Sequence, residues 1–139
     1  MNYTIKEFIE SNKFPKMQLI SDNSGINRVI RGVQILSVPN MEKFLGGGGE
    51  LLLTSLVVYE NQLNERIVLS HLEELNKKQV SGFIVKRRQN IPHLNKLFEI
   101  LVHFCDEHSI PVLELPQNIS YWWIIRYLLP QIYNIVCEK

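Results

Sequence analysis

The sequence predicts an α/β fold: one domain with a mainly parallel β-sheet flanked by helices, closed by a long apolar C-terminal helix. Three observations predict it. Leu51-Leu52-Leu53 runs out of four glycines, Gly46, Gly47, Gly48 and Gly49, and stops at Thr54-Ser55. That segment is too short and too uniformly apolar for a surface helix, so it reads as a strand buried on both faces. From Leu51 onward the order is strand, helix, strand, helix, strand, which is how parallel neighbours are joined. The composition also permits a core, since 139 residues with 45% hydrophobic and 21% charged make one ordinary globular domain.

The elements follow in order. Thr4-Ile5-Lys6-Glu7 is a capping-box pattern, and Ile5, Phe8 and Ile9 give the short helix after it one apolar face. Met17 to Ile20 and Val29 to Leu36 read as strands. Between them Ser21-Asp22-Asn23-Ser24-Gly25 is dense turn chemistry, with Gly25 free to take positive φ and a hairpin-like link open to it. Pro39 to Phe44 is about one helical turn, entered through the proline and stopped by the glycines. After the Leu51 strand, Val57 to Gln62 connects to a helix that starts at Asn64-Glu65-Arg66. Ile67, Val68, Leu72 and Leu75 form its buried face, and Asn76-Lys77-Lys78 ends it. Gly82 to Val85 is the next buried strand. Pro92 opens the clearest helix, with Leu94, Leu97, Phe98, Leu101, Phe104 and Cys105 on a single stripe. Ile110 to Pro116 is the last strand.

The body of the domain takes residues 1–117, and the final helix takes 118–139. In that helix Trp122, Ile125, Leu129, Ile132 and Val136 fall at alternating steps of three and four, a coiled-coil-like seam. Tyr121, Ile124, Leu128 and Ile135 make a second apolar face beside it. One face covers the sheet, and the other calls for a partner, either a second copy in a homodimer or a domain outside this chain. Pro130 is expected to kink or split the helix.

Several function classes are set aside. A net charge of +1 calls for no polyanionic partner, and no apolar run approaches the roughly 18 residues of a membrane span. The N-terminus has no signal-peptide pattern. Cys105 and Cys137 lack metal-type spacing and sit in helical patterns, so a reduced, cytoplasmic setting is expected. His71, His93, His103 and His108 form no metal motif, and neither metal nor cofactor is expected. The run Gly46-Gly47-Gly48-Gly49 precedes a strand and has no Gly-Lys-Ser/Thr after it, so all four glycines are expected to shape a structural loop and not a phosphate loop. What remains is convergence. If the three later strands are parallel neighbours, Thr54, Ser55, Lys86, Arg87 and Glu114 arrive at one sheet edge, which suits a small polar or anionic metabolite. The plainer reading is a solvated charge run after a strand.

Four blocks then carry a resemblance over nearly the whole chain. They are Val33-Gln34-Ile35-Leu36-Ser37-Val38-Pro39, Phe44 to Ser55, Gly82-Phe83-Ile84-Val85-Lys86 with Ile91-Pro92, and Ile110-Pro111-Val112-Leu113-Glu114-Leu115-Pro116. In this order the chain resembles the N-terminal domain of PucR-type purine-catabolism transcriptional regulators. Ser55 stands where that family commonly has Gly, and Arg87 where it has a smaller residue. The resemblance implies a bacterial regulatory module that senses a small molecule or mediates assembly, without catalysis. It also implies that DNA is bound by a helix-turn-helix outside this chain. Two rivals stand beside it: an assembly domain without a ligand, and an enzyme using Glu114 as general base on an anionic substrate.

Overall fold

The computed structural model describes residues 2–38, 41–60, 64–88 and 90–133. The expected helix entry at Pro39, the seam residue Val136, and Ile135 and Cys137 beside it lie outside the described residues.

Strands β1 (Gln18–Leu19), β2 (Gly32–Ile35), β3 (Glu50–Thr54), β4 (Gly82–Val85) and β5 (Val112–Glu114) form one sheet in the order β1-β5-β4-β3-β2. β2, β3, β4 and β5 run parallel, while β1 pairs antiparallel with β5. Helices α1 (Ile5–Glu10), α2 (Glu65–Lys77), α3 (Pro92–His108) and α4 (Tyr121–Tyr133) cover the sheet. Side chains along the central strands alternate between two cores, as the period of a strand requires. Leu52, Phe83, Val85 and Val112 point to the core shared with α2 and α3. Leu51, Leu53, Ile84 and Leu113 point to the core shared with α1 and α4. The expected α/β domain with a mainly parallel sheet is therefore present, as three layers.

Local chemistry accounts for the helix ends. Thr4 Oγ1 accepts from the Glu7 amide at 3.1 Å, and the Glu7 carboxylate accepts from the Thr4 amide at 3.3 Å. The Asn64 side chain accepts from the Arg66 amide at 2.9 Å and starts α2. All six residues of the expected α3 stripe are buried, with Pro92 in the first turn and Ser109 ending the helix in the left-handed region. On α2 the buried stripe is Val68, His71, Leu72 and Leu75, while Ile67 is half exposed. The stripe is centred between Val68 and Leu75, so Ile67 falls at its margin and His71 takes the inward position.

Three expectations change. β1 and β2 lie at opposite edges of the sheet, so no hairpin joins them. Gly25 does not adopt positive φ, which among the described glycines occurs at Gly48 and Gly49. Gly25 is there because the carbonyl of Ser109 approaches too closely for a side chain. The last helix starts at Tyr121 instead of Asn118, where the Ser120 hydroxyl accepts from the Trp122 amide at 3.2 Å. It runs unsplit through Pro130 to Tyr133, and its described length is 13 residues. Among the described residues no helix is long and apolar enough to cross a membrane.

Ile124 and Leu128 bury the inner face of α4 against α1 and the sheet. On its outer side Trp122 and Trp123 are 60% and 54% exposed. Leu129 and Tyr133 are also exposed, and Ile125 and Ile132 are half-buried.

Candidate functional site

The parallel register places Thr54 opposite Val85, and Val85 opposite Glu114. The carboxyl ends of β3, β4 and β5 thus meet at one edge, where α/β sheets usually hold ligands. The glycine loop lies at the opposite end, ahead of β3. Gly48 and Gly49 there have φ of +98° and +84°, a region that side chains rarely adopt. The Gly46 amide donates to Glu50 Oε2 at 2.8 Å, and the Gly49 amide donates to the Gln79 carbonyl at 2.8 Å. This loop closes a turn and ties β3 to the end of α2.

The four glycines do not meet the same conformational demand within that loop. Gly47 is exposed, its φ is not positive, and a Cβ added there would meet nothing within 4 Å. Neither its backbone conformation nor its surroundings call for glycine at that position. The structural demand falls instead on Gly48 and Gly49 through their dihedral angles, while Gly46 ties the loop to Glu50 through its backbone amide.

At the carboxyl end the structure sorts the five expected residues into two groups. Thr54 is buried, and its hydroxyl accepts from the Leu56 amide at 2.9 Å across a turn in which Leu56 takes a left-handed conformation. Arg87 and Glu114 are paired below the edge, with Arg87 Nε 2.9 Å from Glu114 Oε2. The Arg87 guanidinium also lies 4.1 Å from the Phe98 ring centroid and donates to Asn95 Oδ1. Ser55 and Lys86, by contrast, line an open cavity of about 360 Å³ together with Val57, Glu60, Arg88, Ile91, Leu94 and Gln117.

That cavity combines two cations, a hydroxyl, an amide and one carboxylate over an apolar floor. Its volume is in the range of small-molecule sites. Lys86 is already engaged: Nζ donates to the Ile119 carbonyl at 2.9 Å and lies 4.8 Å from the centroid of the Tyr121 ring. Burial raises the Tyr121 phenol above its ordinary range, so this ring stays neutral. Arg88 is exposed at the rim.

Sequence reasoning missed Glu60 and Gln117, which come from connecting chain and carry no periodic signal. It also missed a buried polar cluster. His71 Nε2 lies 2.7 Å from Glu42 Oε2, and its Nδ1 meets the Tyr59 hydroxyl. Burial raises the Tyr59 phenol, which stays protonated. The cluster joins the 3₁₀ turn at Met41–Phe44 to α2. Its signal was the position of His71 itself, three residues after Val68 on the buried stripe. Burial likewise raises the Cys105 thiol, so it is protonated at neutral pH and a poor nucleophile. Among the described residues no group of His, Cys, Asp and Glu is arranged to hold a metal ion.

Comparison with known proteins agrees with the order of the motifs. The purine catabolism regulatory protein of Bacillus subtilis (strain 168) is 25% identical over 125 residues, covering 88% of this chain and 22% of that protein. The chain therefore spans about a fifth of the length of that curated relative. The model of the purine catabolism regulatory protein-like family (PucR) matches residues 7–132, nearly the whole chain. From its sequence blocks, its sheet and this match, the chain belongs to the purine catabolism regulatory protein-like family.

Proposed function

We propose that this domain is the sensing module of a cytoplasmic bacterial transcriptional regulator, and that it binds a small polar, anionic metabolite without turning it over. The observation that carries the reading is the strand-end cavity, where Lys86 and Arg88 outnumber the one carboxylate, Glu60, and a hydroxyl and an amide join them over an apolar floor. An anion there would draw on charge-assisted hydrogen bonds, and Val57, Ile91 and Leu94 would cover its apolar part. DNA binding belongs to a part of the regulator outside this chain, as the small covered share of the relative supports.

A thermal-shift screen with carboxylated and phosphorylated metabolites tests it. A ligand at about a hundred times its dissociation constant adds roughly 2.7 kcal/mol, a rise of several degrees for a domain of this size. The rise should disappear in Arg88→Ala and in Lys86→Ala. A silent screen, or a rise that both variants keep, would count against the site.

A second role is favoured by a separate observation, the exposed outer side of α4 with Trp122 and Leu129. In this reading the seam Trp122, Ile125, Leu129, Ile132 and Val136 pairs two copies of the domain. Light scattering should then give a dimer mass that falls to monomer in a Trp122→Ser, Leu129→Ser variant. A chain that is monomeric at every concentration would remove this role.

A further inference from the structure

Trp123, Arg126 and Tyr127 of α4, none of them a seam residue, line a groove of their own. The turn at residues 13–16 lies alongside the helix, and two adjoining cavities of about 450 and 320 Å³ share Lys13, Phe14 and Trp123 as walls. The first adds Pro15, Lys16 and Ile119, and the second adds Arg126 and Tyr127.

The floor is held in place from below. Phe14 meets both Phe8 and Tyr127 edge-on with centroids 6.0 Å apart, and Phe8 stacks on Tyr127 at the same distance. The Tyr127 hydroxyl lies 3.3 Å from that of Tyr3. Phe8 is fully buried, so this aromatic cluster is anchored in the core beside α1. A floor locked in this way does not have to be ordered when something binds, which lowers the entropic cost of association.

The rim has one sign of charge. Lys13, Lys16 and Arg126 surround the aromatic floor, and among the described residues no Asp or Glu lines either cavity. This is a local property, because the whole chain carries only +1. The Arg126 guanidinium lies 5.8 Å from the Trp123 ring centroid, so the cation and the exposed indole present a joint surface. A second copy of the same groove would bring like charges together, which disfavours self-pairing through this side. An exposed apolar floor with a cationic rim is complementary to an apolar side chain flanked by carboxylates.

We propose that the groove between residues 13–16 and α4 docks an acidic linear segment of a partner protein that inserts one aromatic or leucine side chain. The anchor enters between Phe14, Trp123 and Tyr127, and the flanking carboxylates meet Lys13, Lys16 and Arg126. The anchor provides most of the affinity, as buried aromatic contacts do at interfaces. The charges provide orientation and a dependence on salt.

The chain offers a direct readout, since its two tryptophans are Trp122 and Trp123. In a Trp122→Phe background all indole fluorescence comes from Trp123. The probe is a synthetic peptide with one Phe between runs of Glu, compared with the same peptide carrying Ala for Phe and with one carrying Lys for Glu. Saturable change of the Trp123 emission with the Glu-Phe peptide is expected, weakening as salt is raised. Affinity should fall by about tenfold or more, the equivalent of 1.4 kcal/mol, when Lys13, Lys16 and Arg126 are changed together to Glu. That variant is checked for its fold by circular dichroism, and a Lys13→Gln, Arg126→Gln variant repeats the test with milder changes.

Each other outcome overturns the proposal. Absence of a saturable response at low salt removes it. Equal binding by the Lys or Ala peptide removes the stated chemistry. Binding unaffected by both rim variants places the contact elsewhere. A free aromatic carboxylate that binds as tightly as the peptide makes the groove a small-molecule site.

Discussion

Replacing Gly25 with alanine is expected to cost about 3 kcal/mol or more, at the upper end for added bulk in a packed site. A Cβ at this position would lie 2.0 Å from the Ser109 carbonyl oxygen, 2.7 Å from its carbon and 2.9 Å from Pro111 Cδ. None of these atoms belongs to a side chain that can rotate away. The backbone itself would have to shift, and other contacts resist that shift. The Ser109 carbonyl accepts from Arg28 Nε at 2.8 Å, and the same guanidinium donates to the Val80 and His108 carbonyls at 2.9 and 3.0 Å. Moving Ser109 would therefore loosen the end of α3 and a partly buried cation together. Urea denaturation measures the effect as a lower midpoint at unchanged slope. A change within about 0.5 kcal/mol of the parent, the usual size for an inert surface substitution, would show that the contact is not tight.

Removing the Glu114 carboxylate should be comparably severe. Glu114→Ala leaves the Arg87 guanidinium without its counter-charge at a place where its side chain is 14% exposed. Breaking a buried pair from one side costs about 3 to 5 kcal/mol, because the remaining charge has lost its partner and cannot return to water. Some exposure remains here, so the lower end of that range applies. Glu114→Gln should cost clearly less, since the amide oxygen keeps a partial negative charge beside the guanidinium. An Arg87→Met, Glu114→Leu double variant should recover most of the loss. Thermal unfolding of the four proteins separates these cases. Equal melting points for Glu114→Ala and the double variant would refute the account. The pair also bears on how the cavity is probed: charge reversal at Arg87 would disturb the fold beneath the site, so Arg88 at the rim is the cleaner position.

What the sequence made legible was local. The α3 stripe from Leu94 to Cys105 could be read residue by residue, because a helical period repeats over many turns. β4 could be read from four apolar residues between a serine and a cationic run. The edge strands were another matter. Nothing in Met17 to Leu36 distinguishes a hairpin from two strands that join opposite sides of a sheet, since the answer depends on β5 and β3 far along the chain. The turn pattern leaves Gly25 free to take positive φ, but its constraint comes from Ser109 and not from its own dihedral angles. Within the glycine run the letters are identical, so nothing local separates Gly47, which faces open space, from Gly48 and Gly49, whose backbone is left-handed. The same limit applies at the strand ends. Their convergence followed from the order of elements, but the choice between cavity and interior was made by partners: Leu56 takes the Thr54 hydroxyl and Glu114 takes Arg87.

The engagement of Lys86 has a thermodynamic consequence. An ammonium has three donors, and one of them is already given to Ile119, just ahead of α4. An anion bound at the proposed site would therefore draw on the same cation as the seating of that helix. Through linkage the coupling free energy is the same from either side. If occupancy weakens the seating of α4 by some factor, anything that lifts α4 strengthens occupancy by that factor. The affinity of the proposed site would then depend on the position of α4 as well as on the residues that line it.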